Sequence, residues 1–205
     1  MENYWLETAK KLQAMAQSGL AYCTNQYDIE RYEELRDISA DMMSKYTDTE
    51  ITMVKSLFCN ETGYQTPKVD IRGVIFKDNK ILMVREKLDG AWALPGGWAD
   101  IGLTPGEVAV KEVKEEAGLE VKPIRLLAVF DKKCHPHPPS PYHVYKIFIL
   151  CEIVGGSLRT GMETSDARFF GSHELPELSV ERNTESQIKI MFEYLENPNK
   201  EAMLD

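Results

Sequence analysis

Three glutamates, Glu112, Glu115 and Glu116, are spaced i, i+3 and i+4 in a stretch with helical periodicity, which places their carboxylates on one face of an α-helix. Like charges at that spacing repel, so the arrangement costs helix stability unless a cation neutralises it. Donors that are all oxygen suit a hard divalent ion, Mg²⁺ or Mn²⁺, and Mg²⁺ is commonly shared with substrate phosphates. The chemistry these residues point to is therefore metal-assisted attack on a phosphate, rather than a structural ion site. An ordinary solvated acidic face is the bland alternative. It fits less well, because the Pro95-Gly96-Gly97 turn just before the helix has no evident packing reason.

The flanking residues predict how the acids are held. Thr104 is an N-cap residue, Pro105 suits the first helical position, and Glu107 completes a capping box. Gly118 is placed to end the helix in a left-handed turn. Ala109, Val110, Val113 and Ala117 fall on another arc from the glutamates, so one side is expected in the core and the other in a cleft. Ahead of the helix lies the turn Pro95-Gly96-Gly97.

These residues resemble the Nudix hydrolase box, G-x5-E-x7-R-E-U-x-E-E-x-G-U with U a bulky apolar residue. The chain has Gly97, five residues, Leu103, seven residues, then Lys111-Glu112-Val113-Lys114-Glu115-Glu116-Ala117-Gly118-Leu119. Two positions depart from the pattern. Leu103 stands where the pattern has glutamate, with Asp100 or Glu107 as nearby substitutes. Lys111 stands where it has arginine, keeping the charge and losing the bidentate fork.

The resemblance covers residues 69 to about 196 and implies an α/β fold, an α/β/α sandwich with a mixed sheet. It implies metal binding by Glu112, Glu115, Glu116 and the Gly96 carbonyl, with Mg²⁺ or Mn²⁺ as cofactor. A further acid is expected from the loop before the last strand, where Glu163 is the candidate and Asp166 and Glu152 compete. The implied reaction is hydrolysis of a nucleoside diphosphate linked to a moiety X, with Glu116 or Glu163 as base and Glu112 beside them. Arg72 and Arg85 are candidates for the diphosphate; surface salt bridging would explain them equally well. Trp98 is a candidate for stacking on a base or sugar, and Trp92 reads as core.

The N-terminal helical segment, the wording of the box and the run Glu174-Leu175-Pro176-Glu177-Leu178-Ser179 resemble the subgroup that carries a helical N-terminal domain. That likeness implies CDP-choline as first substrate, with ADP-ribose or another nucleotide sugar, and RNA ends, as alternatives. Tyr142, Tyr145 and the N-terminal tyrosines offer aromatic faces for a quaternary ammonium. Lys132, Lys133 and His135 offer a local basic lip for RNA. The proline-rich loop 132–141 reads as either a cover over the substrate or a rigid connector. Leu103 keeps a catalytically silent ligand sensor in view.

The rest of the chain sets the frame. It has 205 residues and a net charge of −9, which argues against broad electrostatic binding to nucleic acid. Nothing approaches the roughly 20 apolar residues of a membrane span, and the N-terminus does not read as a signal peptide, so a cytoplasmic setting is expected. Cys23, Cys59, Cys134 and Cys151 form no C-x-x-C pair and are expected to be reduced. Cys134-His135-Pro136-His137 lacks a second cluster that would complete a zinc site and reads as a loop.

Helical patterns over roughly 3–18 (ended by Gly19), 28–45 and 48–58 (with Asp48 as a cap) make residues 1–59 a small helical domain that docks or forms a homodimer. Residues 60–68 read as a linker and 69–205 as the hydrolase domain. There, strands are expected at 69–76 and 81–85 around the hairpin signal Lys77-Asp78-Asn79-Lys80, then at 91–94, 126–130, 144–153 and 167–170. A last helix is expected over 184–195.

Overall fold

The computed structural model describes residues 2–47, 49–58 and 63–205. Asp48, Cys59 and the first part of the expected linker lie outside the described residues. The chain divides into two compact units, Met1–Pro67 with Pro139–His143, and Lys68–Pro138 with Val144–Asp205.

The first unit holds three helices, α1 (Glu2–Tyr22), α2 (Gln26–Thr47) and α3 (Ile51–Phe58). Leu6, Ala9, Ala40, Met43 and Val54 form its small core, with Tyr142 packed against it. Inside it, the buried Ser39 hydroxyl donates to Gln13 Oε1 at 3.1 Å. Gly19 does not end α1, which runs on to Tyr22. Its missing side chain serves packing instead, because a Cβ there would lie 2.4 Å from the Tyr32 ring. Many large side chains stay uncovered on this unit, among them Tyr4, Trp5, Met15, Tyr22 and Tyr27.

The second unit is built on a mixed sheet between two helices. Strands β1 (Lys68–Lys77), β2 (Lys80–Glu86), β3 (Trp92–Ala93), β4 (Gly96–Trp98), β5 (Leu119–Asp131), β6 (Val144–Gly156), β7 (Thr164–Phe170) and β8 (Met203–Leu204) surround α4 (Pro105–Ala117) and α5 (Glu185–Glu196). The main path runs β3-β2-β1-β6-β5-β8, with β4 on β1 and β7 on β2. The β1–β6 and β5–β8 pairs are parallel, and the others antiparallel. Asp78 and Asn79 take φ of 51° and 59°, the left-handed pair that a two-residue hairpin turn requires.

Alternation along the strands splits the core. Ile71, Ile75, Leu82 and Val84 face α4 with Val108, Ala109, Val113 and Ala117. Val74, Ile81 and Met83 face α5 with Ile188, Met191, Phe192 and Tyr194. This is the expected α/β/α sandwich.

Strand β1 shares one edge between two partners. It pairs with β4 through Asp70, Ile71 and Arg72, and with β2 only from Phe76 onward. The sheet thus divides along that edge, and the Leu94–Gly97 turn sits in the fork. β5 begins directly after the Gly118 cap, well ahead of the expected 126–130. The β8 contact of Met203 and Leu204 with Ala128 and Val129 had no sequence signal at all.

Candidate active site

The helix that carries the acids is fixed at both ends. The Thr104 hydroxyl accepts from Glu107 N–H at 3.3 Å, while Glu107 Oε2 accepts from Thr104 N–H at 2.8 Å. At the other end Gly118 has φ 75° and its N–H donates to the Lys114 carbonyl. The buried Thr164 hydroxyl donates to the Glu116 carbonyl at 2.7 Å, which ties the last turn to the start of β7 and places Glu163 beside it.

The glycine turn approaches the acidic face closely. Glu116 Oε2 accepts from Gly96 N–H at 2.9 Å. Glu112 lies under Gly97, where a Cβ would come 3.4 Å from its Oε2. At Gly96, with φ 147°, a Cβ would lie 2.0 Å from the Ile71 carbonyl oxygen, so only glycine lets the backbone pass β1 there. The three glutamates differ in depth: Glu116 is buried, Glu112 mostly so, and Glu115 exposed.

Burial controls the charge of these acids. It pushes Glu116 up to about 8, against the pull of the Gly96 N–H and Arg72, with Glu86 and Glu112 adding to the rise. Glu112 is raised by burial, which Lys111 opposes and Glu115 reinforces. Glu86, at the end of β2, is raised by burial against Arg182 and Arg72, with Asp89 and Glu163 adding to it. Mutual influence among Glu86, Glu112, Glu116 and Glu163 marks one acidic neighbourhood at the fork.

Among the described residues, no three His, Cys, Asp or Glu side chains are already gathered into a metal-holding cluster. The donor set nonetheless fits a hard divalent cation. Its donors are all oxygen, Glu116 and Glu112 are largely desolvated while Glu115 stays exposed, and a dication would favour the ionised form that burial disfavours.

A buried charge network lies behind the turn. Arg72 donates to both Asp70 oxygens, at 3.0 and 2.6 Å, and through Nη1 to the Leu94 carbonyl at 3.0 Å. Lys146, across the β1–β6 pair, donates to Asp70 Oδ2. Burial works against the Asp70 carboxylate, but Arg72 and Lys146 outweigh it and hold it below the usual range. Burial also pushes Lys146 down to about 8 despite Asp70. With Asp70 facing two cations, the short Lys146 contact stands as an ion pair.

Two expected substrate residues therefore have other positions. Arg72 does not reach toward a diphosphate, because it is buried and its guanidinium is committed to Asp70 and Leu94. Tyr142 packs in the helical unit's core cluster, since the 139–143 segment belongs to that unit. Of the basic lip, Lys132 pairs with Glu181 at 2.9 Å. His135 lies 3.1 Å from Asp205 and packs against Phe130 in a tilted ring contact, with centroids 4.5 Å apart. Arg85 donates to the Gly90 carbonyl at 2.7 Å.

Trp98 is 53% exposed on β4 and Trp92 is core, as expected. Of the competitors for the fourth acid, Asp166 pairs with Arg168 at 2.6 Å, and Glu152 is exposed on β6 opposite Lys122. Glu163 is the one that adjoins the tethered end of α4.

The sequence reading missed Glu86, Arg182 and Asn183. Glu86 ends a strand as an isolated acid without motif neighbours. Its importance rests on burial and on the Arg182 Nε contact at 3.0 Å, neither of which is legible from spacing.

Residues 66–193 match the model of the NUDIX domain, and residues 3–58 match the family described as UDP-X-like, N-terminal oligomerisation domain. YjhB of Bacillus subtilis, provisionally an ADP-ribose pyrophosphatase, is 50% identical over 100% of this chain and 99% of its own. An ADP-ribose pyrophosphatase of Methanocaldococcus jannaschii is 36% identical over 64% of this chain and 75% of its own.

Among solved structures, an ADP-ribose pyrophosphatase from Streptococcus suis is 41% identical with a TM-score of 0.63, covering 68% of this chain and all of that one. A UDP-X diphosphatase is 31% identical with a TM-score of 0.65, covering 100% of this chain and 99% of that one.

Proposed function

The chain belongs to the Nudix hydrolase family, enzymes that act on phosphorus anhydrides, and from that premise we propose that it cleaves a nucleoside diphosphate linked to X into a nucleoside monophosphate and X-phosphate, with ADP-ribose as first substrate. The observation that carries this reading is the buried Glu116 carboxylate hydrogen-bonded to Gly96 N–H on the capped helix. ADP-ribose takes first place because relatives at 50% and 41% identity bear that name. A UDP-linked substrate comes second, from the structure matched along the full chain. CDP-choline stands behind both. The Tyr142 ring expected to greet its ammonium lies in the helical unit's core.

Glu112, Glu115, Glu116 and the Gly96 carbonyl would hold Mg²⁺ or Mn²⁺, which when bound supplies charge neutralisation and a water acidified toward neutral pH. Glu116, tethered by Gly96, fixes the geometry of the ligand set. Glu163, exposed next to the anchored Thr164, takes the proton of the attacking water. Lys111, 2.8 Å from Asp100 and within 4 Å of Glu112 and Glu115, keeps those two acids together. Trp98 offers a face to the base or sugar.

The helical unit pairs two copies of the chain through its uncovered Tyr4, Trp5 and Met15. Among the described residues no helix is long and apolar enough to cross a membrane, and Cys23, Cys134 and Cys151 are free thiols.

The test is a panel of ADP-ribose, a UDP-sugar, CDP-choline, NADH and a short RNA with Mg²⁺ or Mn²⁺, comparing wild type with Glu115→Gln and Glu116→Gln. Hydrolysis of ADP-ribose, lost in both variants, is expected. No turnover of any diphosphate would sink the enzymatic reading. Preference for CDP-choline or RNA would overturn the substrate order. Sedimentation showing only monomer would remove the pairing role of the helical unit.

A further inference from the structure

Leu94 and Pro95 lie between the short strands β3 and β4, and their backbone groups need partners from outside the ladders. Gly73 N–H donates to the Pro95 carbonyl at 2.9 Å, and Arg72 Nη1 to the Leu94 carbonyl at 3.0 Å. The Leu94 N–H is buried beyond the end of β3 and donates to Asn183 Oδ1 at 2.9 Å. Asn183 comes from a distant part of the chain and is fully buried. Immediately after it, Thr184 caps α5 with Gln187 in a second capping box.

The segment before it is clamped as well. Ser179 N–H donates to the Trp92 carbonyl at 2.8 Å, and Asn183 N–H to the Ser179 carbonyl at 2.9 Å. Arg182 bridges Glu86 at 3.0 Å and Asp89 at 3.3 Å. Packing alone would accept an apolar side chain of the same volume at 183. What the amide adds is an acceptor for a backbone donor two residues ahead of Gly96.

We propose that Asn183 is a positioning residue for the metal site: by holding Leu94 N–H against the Arg72 grip on the Leu94 carbonyl, it sets where Gly96 presents its backbone to Glu116 and to the cation. The inference rests on the metal-dependent reading above. Groups that orient a ligand in this way typically affect metal affinity by about 10- to 100-fold. The amide acts through Leu94, and touches neither substrate nor cation.

The experiment reads Mn²⁺ binding directly, from the paramagnetic resonance signal of the free ion titrated into the full chain, with kcat and KM for the diphosphate measured alongside. Asn183→Leu keeps the branched outline, with somewhat more bulk, and removes the acceptor; it should weaken Mn²⁺ about tenfold or more. Asn183→Asp keeps an oxygen at the same place and should restore binding to within about threefold of wild type. Asn183→Ser, whose side chain is too short to reach Leu94, gives the same contrast if the leucine variant does not fold.

Tyr194→Phe is the stability control. It removes hydrogen bonds to the Leu127 and Glu201 carbonyls near the far end of α5, and should lower Tm with Mn²⁺ affinity unchanged. Wild-type affinity in a folded Asn183→Leu or Asn183→Ser, or an equal loss in Tyr194→Phe, overturns the positioning role alone. A wild-type chain that binds no Mn²⁺ overturns the metal reading and this inference with it.

Discussion

Replacing Glu116 by glutamine should make the metal-free protein more stable while disabling it. The native carboxyl sits at about 8 against an ordinary 4.5, because burial disfavours its charge. A carboxyl raised in the folded state favours folding while it is protonated in both states. That advantage is lost as pH rises from 4.5 through 8, because the unfolded chain ionises first.

At pH 7 the unfolded group is 2.5 pH units past its midpoint while the native one remains mostly protonated, and at 1.36 kcal/mol per unit the penalty is about 3 kcal/mol. It approaches about 5 kcal/mol above pH 8. Glutamine escapes the penalty and still offers an oxygen to Gly96 N–H. In chelator, Glu116→Gln should therefore melt roughly 6–12 °C above wild type at pH 7, with the gap nearly closed at pH 4. Mn²⁺ should raise the wild-type Tm and leave the variant's almost unmoved, and hydrolysis should fall about a hundredfold or more. Thermal unfolding at pH 4, 7 and 8.5, with chelator and with Mn²⁺, decides it. A variant less stable than wild type at pH 7, or one with an unchanged pH slope, would refute burial as the source of the shift.

Other outcomes rest on the same geometry. Gly96→Ala forces a Cβ to within 2.0 Å of the Ile71 carbonyl, so the turn must part from β1; activity should be lost, and amide exchange should quicken first at Gly97 and Arg72. Arg182→Met leaves the buried Glu86 without its 3.0 Å partner and should cost about 3 kcal/mol in denaturant unfolding, with Glu86→Gln recovering most of it in the double variant. Burial pushes His137 down to about 4, with the hydrogen bond to Val180 opposing and the charges of Lys146 and Lys132 reinforcing. Stability is then lost as pH falls from 6.5 through 4, and His137→Asn should flatten that part of the urea-midpoint profile.

The parts of the site that the chain states plainly are those made by neighbours in sequence. The capping box of Thr104 and Glu107, the Gly118 turn and the shared face of Glu112 and Glu116 depend only on local spacing, and the structure has each as expected. The hairpin at Asp78-Asn79 and a last helix over about 184–195 were legible for the same reason. Arg72 was misread because a guanidinium on a strand looks alike whether it faces solvent or a buried aspartate. Only the parallel β1–β6 register, which sets Asp70 against Lys146, decides between them. Asn183 was silent because its partner is a backbone N–H 89 residues away.

The two departures from the family's box are Leu103, just ahead of the Thr104 cap, and Lys111, on the helix itself. Glu107, one proposed substitute for the acid missing at Leu103, is occupied by the cap at Thr104. Asp100 is the acid that reaches the helix, with Oδ2 at 2.8 Å from Lys111 Nζ. An arginine at 111 would offer a planar fork to its carboxylate neighbours. The lysine offers a single ammonium, which three acids share: Asp100 closely, Glu112 and Glu115 at 3.6 and 3.8 Å. Lys111 is half-exposed, so each contact is weak by itself. The deep end of the site does not depend on them. Glu116 is oriented by Gly96, Gly96 by β1 and the Leu94 clamp, and the clamp by Arg72 and Asn183. Variation at the exposed rim is therefore compatible with an intact catalytic centre, because the rigidity comes from the buried backbone turn rather than from the charged surface of the helix.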